Sequence, residues 1–79
     1  MSTLKHVWTC REAQEYAGLE AEIDRMSLER DALSERIATA AATGDYEAVA
    51  ALGEQLAAAE EKIDQRTERW LELAELAEG

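Results

Sequence analysis

One spacing constrains this chain more than any other feature. From Tyr16 the seam residues step by three and four, through Leu19, Ile23, Met26, Arg30, Leu33, Ile37 and Ala40. After a short polar break the stepping resumes at Val49 and continues through Leu52, Leu56, Ala59, Ile63, Arg66, Trp70, Leu73 and Ala77. An alternation of three and four held over two long stretches is the pattern of helices that bury one narrow stripe against a partner helix. The expected fold is all-α, a two-helix antiparallel coiled-coil hairpin.

The ends of the two stretches carry their own chemistry. Thr9 followed by Glu12 reads as a capping box: the hydroxyl accepts from an orphan backbone N–H while the carboxylate takes the N–H of the cap residue. Between the stretches, Gly44 can take the left-handed conformation that ends a helix, and Asp45 can cap the next one. This places helices over 9–42 and 46–78, a turn over 43–45, and an arm or linker without clear periodicity over 1–8. A connection this short makes the helices antiparallel neighbours.

The turn also sets a register. With Gly44 and Asp45 as pivot, facing residues have numbers that sum to about 89, from the symmetry of an antiparallel pair. Ala40 then meets Val49, Ile37 meets Leu52, Leu33 meets Leu56, Met26 meets Ile63, Leu19 meets Trp70 and Tyr16 meets Leu73. Trp70, the largest seam residue, is expected to close the open end with Leu19, Tyr16 and Trp8 from the arm. Outside the seam the same register sets Glu29 beside Lys62 and Glu22 beside Arg69. Two layers are polar: Arg30 faces Ala59, and Ile23 faces Arg66. In both, the arginine stem is expected to lie over the seam while its guanidinium reaches solvent or a flanking carboxylate.

Composition agrees with long helices and a thin core. Of 79 residues 47% are hydrophobic, but sixteen are Ala, Phe and Pro are absent, and there are four Gly. A chain of this size has little apolar area to offset its chain entropy, so its stability has to come from the repeated seam. The formal charge is −10, from 18 acidic and 8 basic side chains. Such a surface repels phosphate backbones and anionic lipid heads. A single cysteine cannot form an internal disulfide, and neither a signal peptide nor a long apolar run is present, so a reduced, cytoplasmic protein with no membrane contact is expected.

Chemistry-bearing residues are few. His6 has no Cys, Asp or Glu at ligand spacing, so no metal site is expected. Cys10 falls in the first turn of the first helix but lacks a base or a second thiol at usable spacing. The Glu60-Glu61 pair and Glu68, Glu72 and Glu75 read as a solvated face, because a two-helix hairpin offers no pocket that would set two carboxylates apart in pKa. No glycine-rich phosphate loop appears. The expectation is no catalytic residue, no cofactor and no enzyme activity in this segment. Lys5, His6, Arg11 and Arg25 remain as candidate nucleic-acid contacts toward the open end.

At both ends of the hairpin the residues resemble a known family. Thr9-Cys10-Arg11-Glu12-Ala13-Gln14-Glu15-Tyr16, with Leu19, Glu20 and Ile23, is similar to the start of the C-terminal coiled-coil domain of ABC-F ATPases of the Uup type. Thr67-Glu68-Arg69-Trp70-Leu71-Glu72-Leu73 is similar to the closing segment of that domain. The resemblance spans roughly residues 9 to 78, with Cys10 in place of an aromatic and Ala13 in place of a Gln. It implies a cytoplasmic, ATP-binding parent protein with two nucleotide-binding cassettes before this segment, acting on ribosomes or translation. It also implies DNA binding by the tail, which the acidic charge opposes. Two functions follow as expectations. One is an accessory domain that associates with a nucleic-acid or ribosomal partner. The other is a protein–protein adaptor or homodimer that packs two hairpins into a four-helix bundle.

Overall fold

The computed structural model describes residues 7–78, with no account of the Glu78 side chain. It consists of two helices, α1 over Cys10–Ala42 and α2 over Tyr46–Glu78, each 33 residues long. They lie side by side in a rod with principal extents of 63 × 21 × 14 Å. Among the described residues there is no strand.

Each helix end is closed by local hydrogen bonds. Thr9 is the N-cap of α1: its Oγ1 accepts from Glu12 N at 3.1 Å, and its own N–H donates to Glu12 Oε1 at 2.9 Å. At the other end, Asp45 N donates to Ala40 O at 2.9 Å and Gly44 N to Ala41 O at 3.1 Å. These are the two bonds of a Schellman motif, which satisfies carbonyls that have run out of helical partners. The motif needs a left-handed residue, and Gly44 supplies it at φ 75°. Asp45 then starts α2, with its Oδ1 accepting from Ala48 N at 3.1 Å. The reversal is therefore completed within three residues, and α2 returns along α1.

The core is a single row of side chains. Leu19, Met26, Leu52, Ile63 and Leu73 are buried, and Leu73 is fully enclosed. Tyr16, Ile23, Leu33, Ile37, Val49, Leu56 and Trp70 are half-buried, as are Arg30, Ala40, Ala59, Arg66 and Ala77. Two helices can cover a seam from only two sides, so its flanks stay partly wet. Leu28, Tyr46 and Val7 point outward and are 71%, 74% and 82% exposed.

The register holds along the middle of the rod and shifts at its open end. Arg66 meets Glu22, whose numbers sum to 88, close to the expected 89. Tyr16, set against Leu73 by the register and expected beside Trp70 at the open end, stacks on Trp70 with ring centroids 5.3 Å apart. Two flat rings gain more by overlapping than by meeting aliphatic layers, which draws this pair together.

Candidate interaction surfaces of the hairpin

The open end is tied by three aromatic residues. Trp8 lies 4.6 Å from Tyr16 between ring centroids, and Tyr16 in turn stacks on Trp70 at an interplanar angle of 17°. The Trp8 indole N–H donates to Leu73 O at 2.8 Å, linking residues 65 positions apart. Trp8 is thus a fixed part of the fold and marks where the expected arm stops being an arm. It covers the end of the seam above Leu73. Trp70 Nε1 is buried and has no hydrogen-bond partner. An indole N–H shut away from water without an acceptor costs roughly 1–3 kcal/mol.

The charged flank differs from the expected pairing. Arg66, a seam residue, donates from Nε to Glu22 Oε1 at 3.0 Å, and Arg25 stands 4.0 Å from the same carboxylate. Glu22 is therefore occupied, and Arg69 turns to Glu15 instead. Its Nε and Nη2 donate to the two oxygens of Glu15 at 2.8 and 3.0 Å, while Nη1 donates to Glu72 at 2.8 Å. This two-pronged hydrogen bond from Arg69 holds the Glu15 carboxyl below its usual range. The same bonds, to Glu15 first and Glu72 second, hold the Arg69 guanidinium well above its own range. Glu29 and Lys62 form no ion pair, although both line one shallow groove with Met26, Leu33 and Gln55. The seam arginine decided the pattern, because a stem long enough to leave the core competes for the nearest carboxylate. Arg30, the other seam arginine, reaches Asp31 on its own helix at 3.3 Å.

Of the four candidate nucleic-acid contacts, Lys5 and His6 lie outside the described residues. Arg11 is exposed on the first turn of α1. Arg25 lies on the same side but fourteen residues on, roughly 21 Å along the helix axis. Its attraction to Glu22 further reduces its use as a free cation. The pair does not form one compact basic patch. Among the described residues no group of three or more His, Cys, Asp and Glu is arranged to hold a metal ion. None of their helices is long and apolar enough to cross a membrane.

A long, thin antiparallel hairpin with a capped turn and an aromatic-locked open end agrees with the family comparison. Residues 9–75 match the ABC transporter C-terminal domain, and the chain belongs to that family. Among curated proteins and among solved structures, nothing matches it. The match begins at the capping Thr9 and ends two residues beyond Leu73, so it spans the hairpin from its N-cap to the far side of the aromatic lock.

Proposed function

We propose that this domain is the non-catalytic accessory arm of an ABC-F-type ATPase, working in the cytoplasm to bring that protein to a ribosomal partner. The observation that carries this reading is the shape and charge of the rod. It reaches 63 Å with a cross-section of 21 × 14 Å, and its chain carries a formal charge of −10. Such a body suits reaching and docking more than enclosing a substrate. Three of its arginines are engaged: Arg66 by Glu22, Arg69 by Glu15 and Glu72, Arg30 by Asp31. Affinity for a phosphate backbone comes from cations that displace counterions, and Arg11, Arg36 and Lys62, outside these pairs, are too scattered along the rod for tight binding, so any nucleic-acid contact is expected at the Lys5 to Arg11 end.

Two measurements test the reading. Titration of the chain with duplex DNA at about 150 mM salt is expected to show no sub-micromolar binding, since exposed charges are strongly screened there. Sub-micromolar affinity would overturn the charge argument. Ribosomes should retain the polypeptide that carries this segment and lose it when residues 9–78 are deleted. Equal retention without the segment would refute the arm. A reading frame with no ATP-binding cassette ahead of this segment would favour the protein–protein adaptor instead.

A further inference from the structure

The two long faces of the rod are chemically unlike. In heptad terms Tyr16, Ile23, Val49, Leu56, Ile63 and Trp70 occupy position a, which places Arg36, Lys62 and Arg69 at g and Arg11 and Arg25 at c. Arg30 and Arg66 lie in the seam itself. No Lys or Arg falls at any e or b position between Cys10 and Ala77. Those positions hold five carboxylates, Glu20, Asp24, Asp31, Glu60 and Asp64, among small residues such as Ala13, Ser27, Ser34, Gly53 and Ala74. The packing brings these sets onto opposite sides. Toward the open end the ion pairs Glu15–Arg69 and Glu22–Arg66 cover the g side, which opens only further along beside Glu29 and Lys62, whereas on the e side a groove of about 260 Å³ opens at that end, lined by Glu20, Ile23, Asp24, Thr67 and Trp70.

This groove has an apolar floor and an acidic rim. Ile23, Thr67 and Trp70 are half-buried there, because small residues at neighbouring e positions leave the seam uncovered. Trp70 also carries the buried indole N–H without an acceptor. At its rim Glu20 and Asp24 are exposed, and Glu60 and Asp64 continue the same face along α2; none of the four takes part in an ion pair or side-chain hydrogen bond within the described residues. Asp31 alone on this face is neutralised, by Arg30.

We propose that this face is a docking site for a basic amphipathic helix of a partner protein. The partner helix would lie along the rod, with an apolar stripe on Ile23, Thr67 and Trp70 and flanking Lys or Arg against Glu20, Asp24, Glu60 and Asp64. A helix is the occupant because the groove runs between two parallel axes, where a third helix sets its ridge of side chains into the seam. The occupant is cationic because four unpaired carboxylates line its path, and like-charge contact would be repelled. The same argument disfavours a second copy docking through this face, since it would oppose the carboxylates of one copy to those of the other with only Arg30, already engaged by Asp31, as a cation. It also excludes nucleic acid from this side of the rod.

The inference rests on the domain being a binding arm, and the two can fail separately. Ribosome retention tests the arm, and a peptide titration tests the groove. The probe is a synthetic Leu/Ala/Lys peptide with lysines flanking one apolar stripe, added to the full chain and followed by backbone and indole N–H chemical shifts. Shifts should concentrate at Ile23, Asp24, Thr67 and Trp70. The Glu20→Lys, Asp24→Lys pair should weaken binding about tenfold or more, while Glu29→Lys on the opposite side changes it less than about twofold. Thr67→Trp leaves the charge unaltered and fills the groove, so it should block the peptide while circular dichroism shows an intact hairpin. Equal weakening by Glu29→Lys would mean diffuse charge attraction and overturn the proposal. So would an ineffective Thr67→Trp, no binding at all, or a chain dimer that Thr67→Trp dissociates.

Discussion

Truncating Leu73 to alanine tests whether the open end is the mechanical lock of the hairpin. Leu73 is the one fully enclosed side chain among the described residues. It sits beneath Trp8, whose indole N–H is held by the Leu73 carbonyl at 2.8 Å. Removing a buried leucine costs the transfer energy of the lost atoms and the cavity left behind, about 2–5 kcal/mol in total. Trp8 can settle part of the way into the space, so a loss of about 3 kcal/mol is expected. At 0.05–0.15 kcal/mol per residue, a chain of this length has only about 4–12 kcal/mol of stability to lose. For a domain of this size each kcal/mol moves Tm by about 4–8 °C, so the variant should melt about 12–24 °C lower. Leu28→Ala, at a leucine 71% exposed, is the control and should stay within about 0.5 kcal/mol of the parent chain. Thermal and urea unfolding of both variants settle the matter. A Leu73→Ala loss under about 1 kcal/mol would show that the end is frayed in solution and that the lock does not exist.

Trp70→Phe keeps a ring on Tyr16 and removes the indole N–H that has no partner, so it should cost less than about 1 kcal/mol, whereas Trp70→Ala should cost about 3 kcal/mol; equal losses in urea melts would show that the N–H is satisfied. Gly44→Ala should cost about 1–2 kcal/mol through its left-handed backbone and not through crowding by the rest of the fold, because no atom beyond its two chain neighbours lies within 4 Å of where a Cβ would stand; an unchanged melting point would mean that the turn adopts another geometry. The Glu15 carboxyl is held below its ordinary value of 4.5, so its contribution is present above that pH and fades as pH falls through the depressed folded-state value. The gap in Tm between the parent chain and Glu15→Gln should therefore be positive at pH 7 and close on acidification below about pH 4.5, while a gap independent of pH would refute the pair with Arg69.

The candidate site was legible in the sequence only in part, and the reason lies in the length of the side chains involved. Short groups act where the backbone puts them: Thr9, Gly44 and Asp45 could be assigned their capping roles from spacing alone. Arginines act several ångströms from their own Cα. Arg66 was expected to reach out of the seam, but only the packed structure showed that it takes Glu22, the carboxylate expected for Arg69, which pairs with Glu15 instead. The groove beside Trp70 was hidden for a similar reason. Its residue types stand in the sequence, yet its depth depends on which flank the ion pairs cover.

By itself the sequence determined the helices, the turn, the antiparallel pairing and the membership of the seam, because each follows from a three-and-four spacing and from backbone hydrogen bonds made within a few residues of one another. The aromatic cluster of Trp8, Tyr16 and Trp70 was expected too, but the tertiary structure alone decided its stacking geometry, the capture of Trp8 by the Leu73 carbonyl and the groove on one long face. These depend on contacts between residues tens of positions apart, where several partners of similar energy compete and only the geometry of the folded pair selects one.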